Sequence, residues 1–261
     1  MAYDPIELHA AMERVVVKGN KRKYRRLARP LRFYGGIISS EEVGCGLRCL
    51  HCFSHKPVWK PGSTGKFYSP EQVFNALDAS ARKHGHKIIS ASASEGTIGR
   101  QHLEELLTLV DRSDYRFVLE TNGMILGHDR EYVRSLARFN HTHVRVSIKC
   151  TNPEEYARLT GATPESYELP YKALRYLIDD GVSCNACVMV SFSTEEGIEE
   201  AKARLAAVHP GILKSLELEN ITLFPKVAER LARKGITPRT IRHRGRIITL
   251  DTESGNPSWA G

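Results

Sequence analysis

No stretch of the sequence approaches the roughly 18 apolar residues that a membrane-spanning helix requires, so no membrane partner is expected. The N-terminus carries acidic residues near its start and no apolar segment running to a cleavage site, which speaks against a secretory signal and for a cytoplasmic location. Cysteine is scarce, at six residues in 261, far too few for a disulfide scaffold. No internal repeat or low-complexity tract is visible. No P-loop, HExxH motif or Ser/His/Asp triad stands out, which removes the commonest nucleotide-hydrolysing, zinc-protease and acyl-transfer readings. What remains has the composition of an ordinary globular protein, 41% hydrophobic and 26% charged, so bulk disorder is excluded as well.

Acidic residues are missing from two segments. Eight bases and no acid lie between Lys18 and Arg32, and seven bases and no acid between Arg230 and Arg246. Without these two segments the chain would carry 23 bases against 30 acids, so the net charge of +8 is local. Such segments suit polyanions or an acidic protein face, and a polyanionic or protein substrate is expected at Lys18–Arg32. A solvated basic surface is the plainer reading.

From about residue 34 strand-like and helix-like patterns alternate. Strands are expected at 34–41, 87–91, 116–120, 143–148, 184–190 and 215–223. Helices are expected at 69–84, through Leu103, Leu106, Leu107 and Val110, and at 129–139, 154–159, 170–180, 194–207 and 225–234. The 69–84 segment has Ser69 as N-cap, Pro70 in the first turn and Gln72 to complete a capping box. Regular βα alternation implies a parallel sheet with right-handed crossovers. Six units fall short of the eight that close a barrel, so the expected fold is α/β, an open (β/α)6 partial barrel of parallel strands. The expected organisation is an N-terminal helix and basic arm (1–33), a (β/α)6 core (34–235) and a basic tail (236–261).

Three of the six cysteines crowd into eight positions, Cys45, Cys49 and Cys52, with spacing C-x3-C-x2-C. They follow the first strand on a loop. Structural zinc and ferredoxin-type sites are normally closed by four ligands, whereas a 4Fe-4S cluster on three cysteines keeps one iron open. The alternatives are a Cys3His zinc site completed by His55, or buried thiols. Cys150, Cys184 and Cys187 leave a second cluster conceivable, although Cys184 and Cys187 point to opposite faces of one strand.

These residues resemble the radical S-adenosylmethionine (SAM) superfamily, over about residues 34–235. The resemblance implies a 4Fe-4S cluster on Cys45, Cys49 and Cys52 whose open iron takes the amino and carboxylate groups of SAM. It implies reductive cleavage to a 5′-deoxyadenosyl radical, hydrogen abstraction from a substrate, and an external electron donor of ferredoxin or flavodoxin type. His51 stands where the family usually has an aromatic residue against the adenine. Ala93-Ser94-Glu95 stands where it has Gly-Gly-Glu, so Ser94 and Glu95 are implied contacts to the SAM ammonium group. Ala and Ser can supply the same backbone acceptors provided that their φ is negative.

The third and fourth strand ends, Glu120-Thr121-Asn122-Gly123 and Arg145-Val146-Ser147-Ile148-Lys149, resemble pyruvate formate-lyase activating enzymes. They imply SAM carboxylate and ribose contacts from Lys149, Thr121, Asn122 and Ser147. Those enzymes hold a monovalent cation near the carboxylate, and here Arg145 stands in its place. Pairing of Arg145 with Glu120 is expected to supply the positive field instead. Phe33-Tyr-Gly-Gly and the segment 152–162 are similar to archaeal radical SAM proteins of this kind. A glycyl-radical activase is one implied role. The contrasting class is a zinc- or cluster-containing nucleic-acid-binding module, which has no use for Glu95 or Lys149.

Overall fold

A computed structural model describes residues 2–250. In chain order the strands are β1 (Val17–Lys18), β2 (Lys21–Leu31), β3 (Ile37–Glu42), β4 (Lys66–Tyr68), β5 (Ile88–Ser92), β6 (Arg116–Thr121), β7 (Thr142–Ile148), β8 (Cys184–Met189), β9 (Glu217–Glu219), β10 (Thr240–His243) and β11 (Arg246–Thr249). The helices are α1 (Pro5–Val16), α2 (His55–Trp59), α3 (Pro70–His84), α4 (Arg100–Asp111), α5 (Met124–His128), α6 (Arg130–Leu136), α7 (Pro153–Thr160), α8 (Leu169–Asp179), α9 (Glu195–Val208) and α10 (Pro225–Arg233).

The six expected strands are β3 and β5 to β9. They run parallel in the order β3-β5-β6-β7-β8-β9. The capping box of α3 forms as expected: Ser69 Oγ accepts from the Gln72 N–H, and the Gln72 side chain accepts from the Ser69 N–H. Strand alternation divides the sheet into two chemically different faces. Ile38, Ile89, Ala91, Phe117, Leu119, Val144, Val146, Ile148, Ala186 and Val188 are buried in the main core with Val73, Leu77, Leu103 and Leu106 of the helices. Ser39, Ser90, Glu120, Arg145, Ser147, Lys149, Asn185 and Cys187 alternate with them and face the concave side. Burying the first set stabilises the fold by about 1.5–3 kcal/mol per large apolar side chain. The second set makes the concave face polar. Among the described residues β9 pairs only with β8, so the barrel is open there.

The segment read as a basic arm is a strand of the same sheet. β2 runs antiparallel to β3 and also pairs with β1 and β4. Its charges hid the pattern, and two register irregularities, between Tyr24 and Arg26 and between Arg26 and Arg29, break the alternation. Its apolar anchor is Tyr24, buried, whose hydroxyl donates to His102 Nε2 at 2.8 Å. The opposite imidazole nitrogen donates to the Asn20 carbonyl at 2.8 Å, which sets the tautomer. The expected basic tail likewise begins as a hairpin, β10 against β11, turned by Arg244 and Gly245 with φ of 49° and 81°, as a tight hairpin turn demands. The rest of that tail, 251–261, lies outside the described residues.

Candidate functional site: the cysteine loop and the carboxyl ends of the strands

The cysteine loop leaves the carboxyl end of β3 and is fastened by distant parts of the chain. Arg48 donates to the Cys45 carbonyl at 2.6 Å, and its backbone N–H donates to the Tyr3 hydroxyl at 2.8 Å. The Leu50 N–H donates to the Leu159 carbonyl at 2.8 Å. From α10, Arg230 donates to the Leu50 carbonyl at 2.9 Å and to the Cys52 carbonyl. Gly46 is required by close approach: a Cβ there would sit 1.9 Å from the His9 ring.

Cys49 is buried, and Cys45 and Cys52 are half-buried. Cys45 Sγ accepts from the Leu47 N–H at 3.3 Å and from Asn122 Nδ2 at 3.6 Å. Burial is the main cause that pushes all three thiols up, Cys49 to about 12; Glu95 and then Cys49 add to it at Cys45, and Cys52 adds to it at Cys49. Positive charge on Lys149 opposes the rise at Cys49 and Cys52. Desolvated thiols of this kind lose their protons to a bound metal. Among the described residues no three His, Cys, Asp or Glu side chains converge closely enough to share a single ion. A cubane takes each thiolate on a different iron, so this spacing fits a cluster better than one zinc. His55 is not aimed at the thiols; its Nδ1 lies 3.3 Å from the Arg230 guanidinium.

Lys149 projects from the end of β7 beside these thiols. Its ammonium donates to Ser147 Oγ at 2.8 Å. Burial acts against its charge, but Cys49, Glu219 and Cys45 outweigh burial and hold its pKa above the ordinary value. His51 is buried with its ring centroid 5.8 Å from that of Phe192. Burial first, and then Lys149, lower its pKa to about 3. It is therefore a neutral ring, and its Nδ1 has no hydrogen-bond partner.

Glu95, Thr121 and Asn122 come together, but with one another. Glu95 is buried, and its Oε1 accepts from the Thr97 N–H (3.1 Å), Thr97 Oγ1 (2.7 Å) and Thr121 Oγ1 (2.6 Å). Its Oε2 accepts from the Asn122 N–H at 2.8 Å. The carboxylate thus ties the end of β5 to the end of β6. Ser94 Oγ donates to the Glu42 carbonyl at 2.9 Å. The condition placed on Ala93 fails: its φ is +70°, a conformation that favours glycine.

Arg145 departs from expectation too. Its guanidinium bonds to Glu217 at 2.9 Å and Glu219 at 2.7 Å, and to Cys187 Sγ at 2.8 Å. Both carboxylates stand on β9, across β8, where the inward face of that strand meets a long side chain. Glu120 takes none of these bonds and remains beside Arg145 as a neighbouring charge, its own pKa raised by burial. Sequence reasoning missed Arg22, Glu42, Arg230 and Tyr3, whose partners lie far along the chain, and no local pattern marks them.

A sequence profile described as the Radical SAM superfamily matches residues 43–205, which spans the cysteine loop and four of the parallel strands that follow it. The chain belongs to the radical SAM superfamily. Among curated proteins it is similar to a probable GTP 3′,8-cyclase of Pyrobaculum aerophilum, 24% identical over 198 residues, covering 75% of this chain and 59% of that one. A probable GTP 3′,8-cyclase of Methanosarcina acetivorans is 25% identical over 222 residues, covering 80% and 64%. This chain therefore spans about three fifths of the length of these curated relatives. Among solved structures, Streptococcus suis SuiB bound to S-adenosylmethionine superposes with a TM-score of 0.55 at 15% identity, covering 71% of this chain and 41% of that one. Spore photoproduct lyase with bound AdoMet and dinucleoside spore photoproduct gives 0.54 at 18% identity, covering 74% and 58%. These likenesses show a shared radical SAM fold. The thiol spacing, the desolvated donors and the Lys149 ammonium beside them fit the cluster and SAM that this superfamily implies.

Proposed function

We propose that the protein holds one 4Fe-4S cluster on Cys45, Cys49 and Cys52 and uses it to cleave SAM reductively. When bound, the cluster and SAM would supply a 5′-deoxyadenosyl radical for hydrogen abstraction from a substrate at the polar face of the sheet. Lys149 carries this reading. Its ammonium has Ser147 as hydrogen-bond partner among the described residues and feels Cys49, Glu219 and Cys45. A half-buried ammonium of this kind is stabilised by an anion, and the SAM carboxylate meets that need. His51, neutral, offers a flat ring to the adenine. With φ at +70°, Ala93 gives the turn the backbone shape that a glycine would give it, and in that shape the 93–95 carbonyls are offered to the ammonium group. An external one-electron donor of ferredoxin or flavodoxin type supplies the electron.

The inward face of the sheet is polar, which favours a polar substrate over an apolar one. A nucleotide is the class that this face and the name of the curated relatives both support. The polyanion reading of Lys18–Arg32 narrows. Arg22 and Lys23 are buried and spend their donors on backbone carbonyls, and Arg25 and Arg29 pair with Glu41. Lys18, Lys21, Arg26 and Arg32 are exposed, and they are the bases that such a partner would meet.

The test is anaerobic reconstitution with iron and sulfide, followed by assay with dithionite, SAM and GTP. Wild type is expected to hold about four irons, and the triple Cys45, Cys49, Cys52→Ala variant none. GTP is expected to accelerate 5′-deoxyadenosine formation and to be consumed. A triple variant that keeps its iron refutes the cluster assignment. A rate that ignores GTP, with a cluster in place, refutes the nucleotide and leaves a protein glycyl-radical site as the alternative to try.

A further inference from the structure

Arg22 lies outside the span matched by the family profile, yet it is fully buried and its guanidinium serves one loop. Nη2 donates to the Glu95 carbonyl at 2.5 Å. Nη1 donates to the carbonyls of Ile98 at 2.5 Å and Gly96 at 3.1 Å, and it pairs with Glu42 at 3.1 Å. All three carbonyls belong to the turn that follows β5 and enters α4. At the head of that turn Ala93 holds φ at +70°. A residue with a Cβ is strained there, and such strain persists only where the surroundings over-determine the backbone.

The surroundings do so. The Glu95 N–H donates to the Gly44 carbonyl at 3.1 Å, and the Gly96 N–H to the Glu120 carbonyl at 3.3 Å. A Cβ on Gly96 would lie 2.5 Å from Leu119 and 2.8 Å from the Glu120 carbonyl oxygen, so the turn is pressed onto β6. Arg22 closes the remaining side. Its planar fork reaches three carbonyls at once, which a lysine ammonium on a single flexible stem does not reproduce.

We propose that Arg22 is a positioning residue for SAM. By gripping the 95–98 carbonyls it keeps the strained 93–95 turn in the shape that offers backbone acceptors beside the cysteine loop. The β2 strand, read from sequence as a basic arm, thereby sets the affinity of the cofactor site. The proposal rests on the reading that SAM binds at these strand ends, and it assigns part of that affinity to a residue outside the matched core.

The experiment compares wild type, Arg22→Lys, Ala93→Gly and the Arg22→Lys/Ala93→Gly double variant, all reconstituted anaerobically. SAM dissociation constants are measured by equilibrium dialysis under non-reducing conditions, with iron content and Tm recorded for each protein. Arg22→Lys is expected to keep its iron and to bind SAM about tenfold more weakly, the equivalent of one strained residue released. Ala93→Gly relieves the strain that Arg22 holds, so it is expected to restore most of that loss in the double variant. Wild-type SAM affinity in Arg22→Lys at equal iron overturns the proposal, as does a double variant no better than Arg22→Lys. If Arg22→Lys does not fold, Arg22→Met/Glu42→Gln with and without Ala93→Gly makes the same comparison with both partners neutralised. A wild type that binds no SAM contradicts the family reading of the site, a failure distinct from either of these.

Discussion

Glu95 separates two accounts of the same carboxylate. Read from sequence, it is a contact to the SAM ammonium group, and Glu95→Gln should weaken SAM binding and leave the apoprotein intact. In the structure the carboxylate is consumed by four protein donors, two on Thr97, one on Thr121 and one on Asn122. An amide of the same shape has one oxygen. If that oxygen keeps the three donors at the Oε1 position, the new NH2 faces the Asn122 N–H, and donor meets donor in a buried site. A lost charge-assisted hydrogen bond with its partner left unsatisfied costs about 2–3 kcal/mol. For a chain of this size that is a fall in Tm of about 4–12 °C. The assay is thermal unfolding of cluster-free wild type and Glu95→Gln followed by circular dichroism. A variant that melts with wild type while losing SAM affinity refutes this reasoning and returns Glu95 to direct ligand contact.

Lys149→Met is expected to retain the cluster and lose SAM affinity by about tenfold or more, measured by dialysis; undiminished affinity would place the carboxylate elsewhere. His102 gives the fold an acid limb. Burial is the main cause that lowers its pKa from 6.5 to about 4, so the unfolded chain binds a proton that the native one refuses between those values. Its contribution is fully present above pH 6.5 and is lost as pH falls through 4, about 3 kcal/mol in all. Urea denaturation of the apoprotein at pH 7 and pH 4.5 measures it, and His102→Gln should flatten the slope; an unchanged slope assigns the acid limb to other groups.

The parallel core was legible because apolar residues alternate along each strand and repeat at helical spacing between them, and because Ser69-Pro70-x-Gln72 is a local start signal. Strand β2 was not, since its burial depends on a cross-chain arrangement: Arg22 is tolerable inside only because the carbonyls of Glu95, Gly96 and Ile98 and the Glu42 carboxylate await it. The cysteine loop was plain from spacing alone. Side-chain direction at the strand ends was less so. Strand alternation put Arg145, Ser147 and Lys149 on one face correctly. It could not say that Arg145 reaches across β8 to Glu217 and Glu219, because that choice depends on sheet order and on side-chain length. Resemblance marked Glu95 for the SAM ammonium group and Thr121 and Asn122 for its carboxylate and ribose, but did not show that Thr121 and Asn122 donate to Glu95.

If this chain performs radical chemistry on SAM, product analysis shows it most directly. Reconstituted protein is reduced with dithionite under anaerobic conditions, incubated with SAM, and the mixture separated by chromatography. Radical cleavage yields 5′-deoxyadenosine and methionine in equal amounts, absent from the triple cysteine variant. S-adenosylhomocysteine as the sole product, or intact SAM alongside a fully loaded and reduced cluster, would contradict it.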